Sequence, residues 1–426
     1  MRTPARASQT RRVHLAIRRG FLVEALPAPL RKSDLLEALS HADVLEDSSL
    51  RGKARSRLAR GRLDIEGGIL PTSEELDIAE LIIEMVETRT QAKGDSLVQI
   101  RQDTTRAIYH ARYGMQELCS REASERARRV LMVAAPLSLD AAKLAYAVQA
   151  HFGVCRQYDR VDEFDERGQS IVTPGRLYHW PFLVVRVSIR LNETAFVPAL
   201  LRSLDAYLHQ GLAQAYRRSN MPALEVIIRT LSALHVGAIA IVGLDSRHAA
   251  RVQEFADFVQ TLGNVADAGF GVVVFLASGL ARPGTARDAL DLLSVGRVHE
   301  IVPHADSDVE LSQYYWGKLP TSAPMPDALL PLMEQVGGHR MAYPLMFCEI
   351  NRRLHRQRSY NPEKLLDDLL EEACPALLKY VRLYAKAEVE FHESVRYADW
   401  LSYRVPVKPK AERQAQGVPK QAASGR

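Results

Sequence analysis

Three residues with side chains suited to phosphate binding, Ser138, Asp140 and Lys143, follow the first strand-like segment of the sequence. A phosphate loop needs glycines so that backbone N–H groups can approach the phosphates, a lysine for charge, and a Ser or Thr hydroxyl for Mg²⁺. Residues 134–144 contain no glycine. The start of a helix can attract an anion, so weak phosphate binding is the most that this stretch predicts.

Two alignments of this stretch with a phosphate loop stay open. If Lys143 takes the lysine position, Leu137 and Ala142 replace both glycines, and a leucine stands where the hydroxyl would hold the metal. If Ala141 takes that position, Asp140 replaces the second glycine and its negative charge repels a phosphate. Either alignment predicts that tight phosphate binding is lost.

The acidic residues that ATP hydrolysis requires are also missing. One carboxylate for the magnesium shell and one to activate water are expected at the end of a neighbouring strand. Val242 and Gly243 stand at those positions. Asp245 follows two residues later and is interpreted as a cap of the next segment, with metal binding as the less favoured alternative.

Ser278 and Arg297 are the remaining candidates for a nucleotide site. Ser278 follows another strand pattern, where a polar group could contact a terminal phosphate, but a turn residue is the simpler interpretation. Arg297 could act as an arginine finger, and pairing with a surface acid is favoured because no site is predicted for it to serve. Histidine and cysteine spacings indicate neither a metal site nor disulfides, so the cysteines are interpreted as reduced packing residues.

The predicted strands that would position these residues are five short apolar or β-branched runs. They lie at 130–135, 182–188, 238–243, 271–277 and 298–302. Mostly helical patterns separate them, and this alternation is typical of a parallel, doubly wound α/β sheet. The run from Val272 to Leu276 is apolar on both faces, which predicts a central strand.

Helical patterns precede and follow these strands. The predicted organisation is a basic arm at 1–20, a helical region at 21–128, an α/β core at 129–320, a helical lid at 321–400 and a basic tail at 401–426. Ser33 or Asp34 is expected to cap the first main helix, and Asn361 is expected to cap a helix whose first residue is Pro362. Between residues 74 and 88, one apolar helix stripe is predicted to contain Leu76, Ile78, Leu81, Ile82 and Met85.

Positive charge is concentrated in a few segments, although the whole chain has a net charge of only +5. Residues 1–20 carry six arginines without an acid, residues 51–62 carry six basic residues without an acid, and residues 351–358 carry four arginines. Phosphate contact and plain solvation explain such segments about equally well. The DNA-binding candidates are Arg11, Arg12, Arg18, Arg19, Arg51, Lys53, Arg55, Arg57, Arg352, Arg353 and Arg356.

Several segments, taken in order, resemble the TnsC/TniB group of AAA+ transposition regulators, over roughly residues 21–385. The segments are Leu22–Pro27, Ala238–Leu244, Glu254–Asn264 as a helix ending in an asparagine, Gly271–Ala277, Trp316, and Leu330–Leu383 with its polar helix Phe347–Arg353. The resemblance implies an AAA+ P-loop-type sheet of five parallel strands flanked by helices, with a helical N-terminal extension and a helical C-terminal lid. It also implies self-assembly on DNA and bridging between a target-selection protein and a transposase.

A degenerate nucleotide site within this family predicts a non-hydrolysing adaptor with no required cofactor. Its expected partners are DNA, a transposase, a target selector and a competent AAA+ paralogue. One alternative is an active ATPase that uses Mg²⁺ and ATP through Asp245, Lys143 or groups from a neighbouring subunit. Others are a DNA-binding module acting through its arms, and an AAA+-like scaffold unrelated to transposition. No apolar run suits a membrane span or signal peptide, so a cytoplasmic, membrane-free protein is expected.

Overall fold

The computed structural model describes most of the chain between residues 21 and 369. The described residues are 21–42, 56–92, 129–136, 139–164, 170–187, 191–244, 252–278, 298–301, 308–334 and 342–355, with 102, 105, 109, 340, 361, 364, 365 and 369. The predicted arms at 1–20 and 401–426 lie outside them, as do Cys119 and Cys374.

The centre of the fold is a sheet of five strands that all run parallel, in the order β4-β5-β6-β1-β7. Its strands are β1 (Val130–Ala135), β4 (Phe182–Arg186), β5 (Ala238–Leu244), β6 (Gly271–Ala277) and β7 (Val298–Glu300). All five predicted strands are therefore confirmed. β6 pairs with β1 on one side and β5 on the other, and all seven of its residues are buried, which confirms it as a central strand.

Helices cover both faces of the sheet. The helices are α1 (Phe21–Glu24), α2 (Lys32–Ser40), α3 (Arg57–Glu66), α4 (Ser73–Gln91), α5 (Ala142–Phe152), α6 (Glu193–Leu208), α7 (Leu212–Tyr216), α8 (Ala223–Ala233), α9 (Val252–Asp267), α10 (Asp308–Gly317), α11 (Leu330–Glu334) and α12 (Ala342–Leu354), with a 3₁₀ turn at Asp327–Leu329. Adjacent β1 side chains point to opposite faces. Met132 packs in the cluster formed by α6, α8 and α9, whereas Val133 packs in the one formed by α2, α4 and α5.

A third apolar cluster lies among the C-terminal helices α10, α11 and α12, and we call it the C-terminal cluster. Its buried side chains include Tyr315, Trp316 and Phe347. Ile65 of α3 is fully buried in the same cluster. The chain therefore leaves the sheet after α2, adds α3 to the C-terminal cluster, and returns to the sheet with α4.

An antiparallel hairpin, β2 (Arg156–Phe164) and β3 (Ser170–His179), forms a separate two-stranded sheet between α5 and β4. The sequence did not predict it. The segment 156–164 is rich in charged residues and contains no apolar run, so the signal used to find the other strands is absent.

Two details of the helix predictions are wrong. Arg31 is the N-cap of α2, so Ser33 and Asp34 lie inside its first turn and do not cap it. α9 continues three residues beyond Asn264, to Asp267. The Asn361 cap is confirmed, because its side-chain oxygen accepts a hydrogen bond from the Lys364 N–H at 3.1 Å.

The apolar stripe of α4 is correct except at one position. Leu76, Ile78 and Ile82 are buried, whereas Leu81 is 38% exposed and Val86 is buried on the stripe instead. α4 has 19 residues and carries carboxylates along its outer side. Neither it nor any other helix in the described part of the chain is long and apolar enough to cross a membrane.

Candidate functional site

The carboxyl ends of the five parallel strands meet at one edge of the sheet, where α/β proteins bind ligands. β1 lies between β6 and β7, and the chain passes from its carboxyl end through Pro136 and Asp140 into α5. Ser278 directly follows β6, whose last residue, Ala277, is in register with Ala135 at the end of β1. Asp140, Lys143 and Ser278 therefore lie along one edge, as the sequence predicts for a nucleotide site.

Lys143 does not present its charge to an open phosphate site. The residue is half-buried, and its enclosed Nζ donates a hydrogen bond to the carbonyl oxygen of Gly68 at 3.3 Å. Burial lowers the pKa of the ammonium, and this effect exceeds the opposing attraction of Asp140. The cation that a phosphate would need is already bound to the chain's own backbone.

Asp140 has a backbone conformation that usually favours glycine. Its φ is +49°, in the left-handed region that residues with a Cβ adopt at a cost. Its carbonyl accepts a hydrogen bond from the Lys143 N–H at 2.9 Å, just before α5 begins. The loop thus keeps a glycine-like conformation at the position where one alignment replaces the second glycine.

The end of β5 disfavours acidic side chains at positions 242 and 243. The Val242 side chain is fully buried in the cluster beneath α2, α4 and α5. Gly243 has φ +90°, and a Cβ there would lie 3.4 Å from the Val187 carbonyl oxygen. An acidic side chain at 243 would therefore meet backbone strain, and one at 242 would lose its hydration.

Other predicted site residues lie outside the described part of the chain: Ser138, Asp245 and Arg297. Within the described part, no group of three or more His, Cys, Asp or Glu side chains is arranged to hold a metal ion. Cys155 and Cys348 are free thiols, and burial raises their pKa values to about 11 and about 12. Such thiols are poor nucleophiles at neutral pH.

Two of the predicted basic segments, nearly 300 residues apart in sequence, meet where α3 packs against α12. The Asn351 side-chain amide lies 3.5 Å from the carbonyl oxygen of Leu58. A Cβ on Gly61 would lie only 3.0 Å from the same amide nitrogen, so the two helices approach closely. The start of α3 and the end of α12 therefore form one surface, which we call the α3/α12 surface.

Arg57 and Arg60 are exposed in the first turns of α3. Cations at the N-terminal end of a helix oppose its dipole, and the acids Asp64 and Glu66 stand near the other end, where they are also unfavourable. Arg62 and Glu66 form an ion pair at 2.7 Å within the same helix, so their charges serve α3 itself. Arg57 and Arg60 gain nothing from the helix dipole, and they are therefore the candidates for binding anions.

Arg352 and Arg353 of α12 both pair with Glu349, at 2.7 Å and 2.8 Å from their Nε atoms. The hydrogen bond from Arg352 is the main reason why the pKa of Glu349 is lowered. Arg353 is 8% exposed, so it is mainly a packing residue, whereas Arg352 keeps part of its surface. Arg57, Arg60 and Arg352 therefore leave the α3/α12 surface positively charged, since one arginine beside Glu349 is enough to balance its charge.

The remaining DNA-binding candidates lie outside the described residues: Arg11, Arg12, Arg18, Arg19, Arg51, Lys53, Arg55 and Arg356. In the sequence, Arg55 precedes Ser56, the N-cap of α3, and Arg356 follows His355, the residue after α12.

Sequence reasoning missed the role of the segment between α3 and α4. Gly67, Gly68 and Ile69 are buried there, and the Gly68 carbonyl accepts hydrogen bonds from Lys143 and from the Tyr315 hydroxyl at 3.0 Å. A glycine pair between two helical patterns is the signal that could have indicated such a close approach.

The fold and the site together define the class of the molecule as an α/β protein with a five-stranded parallel sheet flanked by helices, consistent with a phosphate-loop-like domain. No protein-family model matches the chain, and no curated protein matches it in sequence. The resemblance to the TnsC/TniB group therefore remains a prediction from the residues quoted above.

Proposed function

We propose that this chain is an AAA+-like regulator or adaptor of the TnsC/TniB type that has lost ATP hydrolysis. It would link target selection to a transposase through contacts with protein and DNA. The observation that carries the non-hydrolysing part concerns Lys143, which lies at the edge formed by the carboxyl ends of the strands. Its ammonium is enclosed and donates a hydrogen bond to the Gly68 carbonyl. A triphosphate would have to break this bond to gain the charge.

The end of β5 supports the same part of the proposal. Hydrolysis needs a carboxylate that holds Mg²⁺ and another that activates water. A buried valine and a glycine with φ +90° occupy the two positions, so neither site can accept an acid without cost. An adaptor that never hydrolyses ATP has no use for these acids.

The DNA-contacting part is supported by the α3/α12 surface. Two basic segments that are far apart in sequence converge there, and Arg57 and Arg60 are exposed at the N-terminal end of α3, where the helix dipole does not favour them. Lysine and arginine contacts to the phosphate backbone supply most sequence-independent affinity for DNA. The transposase, the target selector, the competent paralogue and homo-oligomer assembly follow from the family resemblance.

The first experiment measures binding of a fluorescent ATP analogue with Mg²⁺, beside binding of a labelled DNA duplex at about 50 and about 200 mM salt. We expect no nucleotide binding in the micromolar range and DNA binding that weakens steeply with salt. Micromolar nucleotide binding with magnesium-dependent turnover would instead identify an active ATPase. Absence of DNA binding at the lower salt concentration would contradict the adaptor's DNA contact.

A paired variant localises the DNA contact. Replacing Arg57 and Arg60 together by glutamate should reduce the slope of log affinity against log salt by about 2, since each lost phosphate contact removes about one unit. The matched control replaces Arg217 and Arg218, two exposed adjacent arginines after α7, by glutamate. Equal losses in both double variants would show that only net charge matters, and the α3/α12 surface would lose its assignment.

A further inference from the structure

We infer that the segment Gly67–Thr72 is a built-in clasp, whose hydrogen bonds to both sides hold the C-terminal cluster against the sheet. The segment joins α3, which packs in the C-terminal cluster, to α4, which packs on the sheet. The backbone of the segment accepts hydrogen bonds from side chains on both sides.

The grip from the C-terminal cluster consists of two neighbouring tyrosines of α10. Tyr315 donates its hydroxyl to the Gly68 carbonyl at 3.0 Å, and Tyr314 accepts a hydrogen bond from the Ile69 N–H at 3.1 Å. Tyr314 also donates to the carbonyl of Ser40, at the end of α2, at 2.8 Å. Burial raises the pKa of Tyr314 to about 12, so its phenol stays protonated and keeps donating at neutral pH.

The grip from the sheet side is Lys143, at the start of α5. Its ammonium binds the same Gly68 carbonyl that Tyr315 binds, so this single oxygen joins the sheet to the C-terminal cluster. The fit leaves little room, because a Cβ on Gly68 would lie 2.9 Å from Lys318 Cε and 3.3 Å from a Tyr314 ring carbon. A larger residue at 68 would therefore displace the end of Lys318 and press against the Tyr314 ring.

Arg340 closes the clasp at its other end. Its guanidinium donates to the Leu70 carbonyl at 3.1 Å and to the Glu75 carboxylate at 2.6 Å. The Glu75 side chain is only 1% exposed and also accepts from the Thr72 N–H at 2.7 Å, as part of the cap of α4. Removing the cation from a buried carboxylate strongly destabilises a fold. Arg340 therefore couples the cap of α4 to the C-terminal cluster.

A clasp made by the chain itself has a direct consequence for control by nucleotide. A ligand shifts a conformational equilibrium only by its difference in affinity for the two states. Because the chain's own contacts at Gly68, Leu70 and Glu75 join the two sides, we expect Mg·ATP to change this junction little. The clasp depends on these contacts alone and would stand if the chain had no role in transposition.

Hydrogen–deuterium exchange of the full-length protein tests the clasp. In the wild type, amides of 67–72, α10 and α12 should exchange slowly, and Mg·ATP should change their rates less than about twofold. Arg340→Ala should raise these rates at least about tenfold, and Tyr315→Phe, which removes one hydroxyl, by about threefold. Tyr315→Phe serves as the measurement if Arg340→Ala does not fold.

The matched control is Arg229→Ala, which breaks a pair with another buried glutamate, Glu225, but within the single helix α8. It should leave the exchange of α10 and α12 unchanged. Two outcomes would overturn the clasp: slow exchange of α10 and α12 that appears only after Mg·ATP is added, or equal rates in Arg340→Ala, Tyr315→Phe and Arg229→Ala. DNA binding is measured separately, so failure of the clasp and failure of the proposed function are distinguishable.

Discussion

The substitution Gly243→Ala is expected to destabilise the protein through backbone strain alone. Gly243 ends β5 with φ +90°, a conformation that residues with a Cβ rarely adopt. The added Cβ would make only ordinary contact, at 3.4 Å from the Val187 carbonyl, so crowding contributes little. Strain of this kind costs about 1–3 kcal/mol, and alanine recovers about 0.4–1 kcal/mol by restricting the unfolded chain. The net loss should be about 1–2 kcal/mol.

The control for this substitution is Gly317→Ala, at the end of α10. No atom lies within 4 Å of a Cβ there, and Gly317 is helical and exposed. Alanine at a helical glycine position should therefore stabilise by about 0.5–1 kcal/mol. Urea unfolding followed by tryptophan fluorescence gives both values from the shift in midpoint. If Gly243→Ala unfolds at or above the wild-type midpoint, the strain at the end of β5 is refuted.

Three further predictions concern the edge of the sheet and the clasp. Burial lowers the folded-state pKa of Lys143, so the cost of its charge is fully present below that pKa and disappears as pH rises towards 10.5. The free energy of unfolding of the wild type should therefore rise relative to that of Lys143→Met between neutral pH and about pH 10, since the variant has no ammonium to deprotonate; a difference that does not change with pH would refute this. The free energy of unfolding of Asp140→Gly should exceed that of Asp140→Ala by about 1 kcal/mol, since both lose the carboxylate and only alanine is strained at φ +49°. Equal urea midpoints for the two variants would refute this. Thr72→Ala should lower the free energy of unfolding by about 1 kcal/mol, because it removes the acceptor for the Glu75 N–H. An unchanged thermal unfolding midpoint would show that the cap is dispensable.

The sheet could be predicted because each of its strands carries its own signal. β6 is buried on both faces, so its residues are apolar without interruption from Val272 to Leu276. β1, β4 and β5 follow the same rule less strictly, whereas β7 is half-buried to exposed and is predicted from the apolar residues Val298, Ile301 and Val302 of the run 298–302. Local composition is enough here because burial on both faces leaves no choice of residue type.

The hairpin and the clasp could not be predicted for two different physical reasons. β2 is rich in charged residues, and its strands are stabilised by pairing with each other, which periodicity does not record. The clasp depends on contacts such as Arg340 with Glu75, which are 265 residues apart. A charge pattern shows that an arginine is present but not which carbonyl or carboxylate it will meet.

The sequence predicted which residues the candidate site lacks, but not the new contacts made by the residues that remain. The missing glycines and acids are visible in the sequence around Lys143 and Gly243. The new partner of Lys143 is a backbone carbonyl from another segment, and a backbone carbonyl is present at every residue. Nothing in the residue types could distinguish Gly68 from the others as its acceptor.

The path of the chain through α3 has a consequence for synthesis on the ribosome. The Ile69 N–H meets the Tyr314 hydroxyl across 245 residues of sequence. At a translation rate of about 5–20 residues per second, about 10–50 s pass between the synthesis of the glycine pair after α3 and the synthesis of α10, which it contacts. Ile65 stays exposed to solvent for that time, because its apolar neighbours are made last. A nascent chain of this length should therefore be a substrate for holding chaperones until α12 has been translated.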